Sequence, residues 1–132
     1  VGKKVSLEDI QFHAASDRFL TTAKGSLNAL ALFLCNKNTS ITIEIEGHVN
    51  GPGQPNHEEF KQLSVDRAIA VKKHLTDNGI DESRMKYTGY GNSKMIFSDP
   101  KTDDEHSMNR RVEIKIYPNE FDFRNRNGNQ DV

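Results

Sequence analysis

Apolar and polar residues alternate along Ile41-Thr42-Ile43-Glu44-Ile45-Glu46, the period of a β-strand with one face turned to a core. Ile41, Ile43 and Ile45 are expected to pack against helices, with Thr42, Glu44 and Glu46 pointing the other way. The same alternation, less strict, runs through Val5-Ser6-Leu7-Glu8-Asp9-Ile10-Gln11-Phe12 and through Arg111-Val112-Glu113-Ile114-Lys115-Ile116. A further strand is read over Arg84 to Gly91, flanked by glycines. Helical spacing takes over in between. Ala23, Leu27, Leu30, Ala31 and Leu34 share one face after a Thr21 or Thr22 cap, and Ala68, Val71 and Leu75 share another in a segment that Gly79 ends. Asn56-His57-Glu58-Glu59 has the form of a capping box at the start of that second helix. Residues 47–55 read as a Gly- and Pro-rich loop, and 92–108 as a polar loop with a short helical turn.

The order β-α-β-α-β-(loop)-β predicts an α+β fold, a two-layer sandwich in which helices cover one face of a small mixed sheet. Residues 1–118 are expected to form one domain. Residues 119–132, rich in Asn, Asp and Arg without a period, read as a mobile polar tail.

Composition narrows the function. The 132 residues suit one domain, and 34% hydrophobic residues with a mean hydropathy of −0.74 leave a modest core under a polar surface. Eighteen basic against nineteen acidic residues give no electrostatic reason to expect nucleic acid as a partner. The longest apolar run, Ala29 to Cys35, is far short of the roughly 20 residues of a membrane span. Val1-Gly2-Lys3-Lys4 leads into no signal-peptide core, so the chain reads as a mature protein or an excised domain. The single cysteine, Cys35, excludes an internal disulfide and is expected to be a buried structural thiol.

Four motifs occur in order: Glu46-Gly47-His48-Val49-Asn50, Leu63-Ser64-Val65-Asp66-Arg67-Ala68, Gly89-Tyr90-Gly91, and Asn109-Arg110-Arg111-Val112-Glu113-Ile114. Together, from Val5 to Ile116, they resemble the OmpA-like C-terminal domain family. The resemblance implies a non-catalytic domain that binds the diaminopimelate-type stem peptide of peptidoglycan and anchors an envelope protein to the cell wall. The implied location is the periplasm, beside the outer membrane or wall, with a larger outer-membrane or lipoprotein assembly as further partner. Diaminopimelate ends in a carbon bearing both an ammonium and a carboxylate. The matching carboxylate ligand here is Arg67, whose planar guanidinium suits bidentate binding. Asn109, Arg110 and Arg111 match the closing motif, which does not decide which arginine borders the groove. Phe12 matches a strand-end phenylalanine beside the peptide, and His48 is expected to brace the loop by hydrogen bonding.

The chain also departs from the family pattern. Asn50 stands in place of the aspartate that grips the ammonium, Phe60 in place of an asparagine seven residues before the arginine, and His13 in place of an acid after Phe12. Glu58, Glu59 and Asp66 are candidates to supply the missing carboxylate. These departures leave open a second reading, a domain that has lost wall binding and acts as a protein–protein module in an envelope complex. Catalysis has little support. A hydrolase using His48 with Glu46 lacks a nucleophile motif, no Gly-rich phosphate loop follows a strand, and no metal or cofactor site is expected.

Overall fold

A computed structural model describes residues 3–36 and 41–117 of the chain. Its elements run β1 (Lys3–Gln11), α1 (Ala23–Asn36), β2 (Thr42–Gly47), α2 (Glu58–Asp77), a 3-10 turn (Glu82–Arg84), β3 (Met85–Gly89), α3 (Asp103–Asn109) and β4 (Arg111–Tyr117). The four strands form one mixed sheet in the order β1-β4-β2-β3, with β2 and β3 parallel and the other pairs antiparallel. The expected α+β sandwich is the fold observed. Among the described residues no helix is long and apolar enough to cross a membrane. The 119–132 tail lies outside the described residues.

The predicted helical stripes become the core. Ala23, Leu27, Leu30, Ala31 and Leu34 of α1 and Ala68, Val71 and Leu75 of α2 meet Ile10, Ile43, Ile45, Val112 and Ile114 of the sheet. Helix α2 ends as Gly79 implied: Gly79 is left-handed, its N–H donates to Thr76 and the Ile80 N–H to Leu75, the two bonds of a Schellman motif.

Three expectations need correction. Cys35 is exposed, because the buried stripe of α1 passes through Ala31 and Leu34 and leaves Leu32 and Cys35 on the outer side. The capping box does not form. His57 is the N-cap and makes no side-chain cap bond, while the Asn56 amide is drawn to the turn after β3, donating to Tyr90 O and accepting from Asn92 N. The polar face of β2 is not solvated either: Thr42, Glu44 and Glu46 are all buried. As a central strand, β2 has neighbours that cover it, and Glu44 accepts from Thr88 of β3 at 2.7 Å and from Tyr117 of β4 at 3.3 Å.

Two glycines set how α2 lies on the sheet. Gly47 and Gly89 are register partners on adjacent strands, and a Cβ on either would collide with Ser64 of α2. The absent side chains let the helix backbone approach the strand ends. Ser64 completes the junction, donating to Lys61 O at 2.7 Å and accepting from Gly91 N at 2.9 Å.

Candidate ligand-binding site

The strand ends near Gln11, Gly47 and Arg111 lie at one end of the sheet, since Gln11 pairs with Arg111 and Gly47 with Val112. The segments beyond them enclose, with α2, a cavity of about 270 Å³ lined by Ala14, Ala15, Val49, Asn50, Phe60, Leu63, Arg67 and Arg110. Among the described residues this lining contains two guanidinium groups, one carboxamide, five apolar side chains and no acid.

Arg67 is 1% exposed although it carries a charge. It lies over the Phe12 ring, 5.2 Å from the centroid, and three of its N–H groups are already bonded. Nε donates to Ser16 O at 2.9 Å, Nη1 to His48 O at 2.8 Å and Nη2 to His13 O at 3.2 Å. A guanidinium has five donors, so one N–H remains on each terminal nitrogen. Burial pushes its pKa down to about 10, the Arg110 charge adds to the fall, and Asp17 opposes it. Arg67 therefore has two functions. It pins the 13–16 turn, where Ala15 holds a left-handed φ of 50°, and it forms part of the cavity wall.

The closing motif divides between the two faces of the sheet. Val112 and Ile114 point to the core, so the period of two puts Arg110 on the helix side and Arg111 on the far side. Arg110 accordingly lines the cavity. Arg111 is buried elsewhere: Nε donates to Glu113 at 2.7 Å and Nη2 to Lys94 O at 2.8 Å. The alternation of β4, extended back by one residue, already contained this assignment.

Asn50 and Asn109 form a single construction. The Phe97 N–H donates to Asn109 Oδ1 and Phe97 O accepts from Asn109 Nδ2, both at 2.9 Å, so the backbone fixes which way that amide faces. Asn109 Nδ2 then donates to Asn50 Oδ1 at 2.8 Å, leaving Asn50 Nδ2 to face His106 Nδ1 at 2.9 Å. His106 must accept there, and its proton belongs on Nε2. Asn109 is fully buried and braces the cavity from behind. Sequence reasoning missed His106, because nothing in a loop histidine's spacing ties it to a residue 56 positions away.

Phe12, His48, Glu58, Glu59 and Asp66 lie off the cavity lining. Phe12 is fully buried, 5.1 Å from the Phe19 ring, and acts as the floor under Arg67. His48 is 1% exposed and stacks on Tyr90 at 5.4 Å; its contact with the site is the backbone carbonyl that Arg67 uses. Glu58, Glu59 and Asp66 are not part of the lining, and Asp66 accepts from Gln62 at 2.8 Å on the outer surface of α2. Phe60 is part of it, packed so closely on Gly51 that a Cβ there would meet its ring. On the far face, Glu46, His48 and Glu113 each bring one potential metal-ligand atom within 4.8 Å of the others. Arg111 already holds Glu113, which sets a cation against any metal ion placed there.

Comparison with known proteins identifies the family and the fold. The model of the OmpA family matches residues 11–110. The peptidoglycan-associated lipoprotein of Buchnera aphidicola subsp. Baizongia pistaciae is 34% identical over 89 residues, 67% of this chain and 49% of that protein. Outer membrane porin F of Pseudomonas fluorescens is 29% identical over 108 residues, 82% of this chain and 32% of the porin. The chain thus spans less than half the length of either relative. The crystal structure of the C-terminal domain of Helicobacter pylori MotB superposes with a TM-score of 0.72 at 20% identity, covering 96% of each chain.

Proposed function

The chain belongs to the OmpA family, and from that premise we propose that it is a non-catalytic wall-binding domain whose cavity between Arg67 and Arg110 holds the carboxylate of a peptidoglycan stem peptide of the diaminopimelate type. Its place is the periplasm, against the outer membrane or cell wall, where it anchors an envelope protein. The observation that supports the reading is a cavity of peptide side-chain size with two guanidinium groups and no acid among its described lining residues. Arg67 brings two unspent N–H groups, fixed in place by three bonds to backbone carbonyls. Donors held before the ligand arrives lose little freedom when it binds. Arg110 brings a second charge to the lining.

The test is retention on purified peptidoglycan, with Arg110→Ala as the informative variant. Arg67→Ala removes the support of the 13–16 turn as well as a ligand, so its failure to bind decides less. The wild-type domain is expected to be retained. Arg110→Ala is expected to bind roughly ten- to a hundredfold more weakly, as loss of a charge-assisted bond implies. No retention of the wild type, or an Arg110→Ala variant that binds equally well, would favour the protein–protein module.

A further inference from the structure

We infer that Asn50, locked between Asn109 and His106, makes this cavity selective for a carboxylate on an apolar stem and unfavourable to an ammonium beside it. The inference rests on the wall-binding reading and specifies what that site recognises.

To grip the zwitterionic end of diaminopimelate, a cavity needs a cation for the carboxylate and an anion for the ammonium. The first is present twice. The second is absent from the described lining, whose one uncharged polar side chain, Asn50, is a neutral amide. That amide cannot turn its oxygen toward a ligand without cost. The Phe97 backbone fixes Asn109, and Asn109 holds Asn50 Oδ1 at 2.8 Å. A rotated Asn50 would set its NH2 against the NH2 of Asn109 and give up the 2.9 Å bond to His106.

The other acids nearby do not replace it. Asp17 is exposed and outside the cavity lining, and its effect on Arg67 is the smallest of the three that act there. Glu58 and Glu59 are exposed on the first turn of α2. An ammonium entering the cavity therefore meets two like charges and, among the described lining residues, no counter-charge, in a partly desolvated space where such repulsion is strong. The apolar lining favours the opposite kind of ligand. Ala14, Ala15, Val49, Phe60 and Leu63 offer methylene and methyl contacts beside the two guanidinium groups. The Phe60 ring adds apolar surface where an amide would have offered an acceptor.

The experiment titrates the domain with three stem tripeptides of the L-Ala–γ-D-Glu–X form, followed by amide NMR shifts of Asn50 and Arg110. X is meso-diaminopimelate, 2-aminopimelate (the same chain without the distal ammonium), or diaminopimelate with its distal carboxylate amidated. The 2-aminopimelate peptide is expected to bind at least as tightly as the diaminopimelate peptide, and the amidated peptide roughly tenfold or more weaker. Asn50→Asp should reverse the first preference, favouring diaminopimelate by roughly tenfold. Tighter wild-type binding of diaminopimelate than of 2-aminopimelate, by tenfold or more, would overturn the inference while leaving the wall-binding reading intact. No shifts with any of the three peptides would overturn both.

Discussion

A guanidinium at 1% exposure, without a carboxylate partner among its hydrogen bonds, is costly to fold. With its pKa lowered to about 10, Arg67 costs about 3 kcal/mol at neutral pH relative to an exposed arginine. The sign follows from proton linkage. Above pH 10 the native state releases this proton before the unfolded chain does, so stability attributable to Arg67 rises with pH there and the cost is undiminished at neutrality. Removing the side chain nevertheless destabilises the fold, because three backbone carbonyls lose their donor and Phe12 loses its cover. Arg67→Ala is expected to lower unfolding stability by roughly 2–4 kcal/mol in urea titrations. Unchanged stability would mean that water replaces all three bonds. His106 offers a second check at this scale. The chain of donors that starts at the Phe97 N–H requires the Nε2–H tautomer. A long-range nitrogen–proton spectrum of the imidazole should show Nδ1 unprotonated at neutral pH, and a protonated Nδ1 would contradict the assigned orientation of Asn50.

Elements were legible in this sequence wherever one face of a helix or strand carried a clear period. The stripes of α1 and α2, the isoleucines of β2 and the Gly79 terminator all lie where the spacing put them. Legibility failed where a side chain had two possible partners. Asn56 looked like a helix cap, yet the turn at Gly91 claimed its amide, a choice settled by the distant β3 end. Thr42, Glu44 and Glu46 looked solvated because alternation reports which residues share a face and not whether that face is covered. The cavity was half visible: motif context pointed to Arg67 and the strand period contained Arg110, but no local signal marks Ala15 as left-handed or joins His106 to Asn50. The glycine motifs now have a mechanical explanation in the close crossing of α2 over Gly47 and Gly89. Either one changed to alanine should lose at least about 1–3 kcal/mol, because the clash at Gly47 is with backbone. Gly25 of α1 meets nothing within 4 Å, so Gly25→Ala should gain about 0.5–1 kcal/mol from helix propensity alone. Thermal unfolding of the three variants checks both signs; equal losses at Gly25 and Gly47 would refute the crossing argument.

For the molecule as a whole, strand register separates the site from the outer ends of the sheet. Lys3 pairs with Ile116 at one end, and Gln11 with Arg111 at the other, where the cavity opens. On β4, five residue steps separate Ile116, opposite Lys3, from Arg111 at the cavity end, about 17 Å, with the extra residues of β1 taken up by the irregularity between Val5 and Ile10. A bulky fusion before Lys3 or after Tyr117 should leave retention on peptidoglycan within about twofold of the parent, whereas an insertion between Ala14 and Ala15 should abolish it. Equal loss from both would place the binding surface elsewhere.

The same register bears on mechanical load. A pull entering at Lys3 and resisted at the cavity runs along β1, across hydrogen bonds to antiparallel β4 that lie at right angles to it. The two paired stretches, Lys3 to Val5 and Ile10 to Gln11, are loaded in shear, whereas a strand peeled from its end would unzip one pair at a time. With the proposed ligand holding one end and the load drawn from the other, tension would meet these pairs along the strand rather than across it.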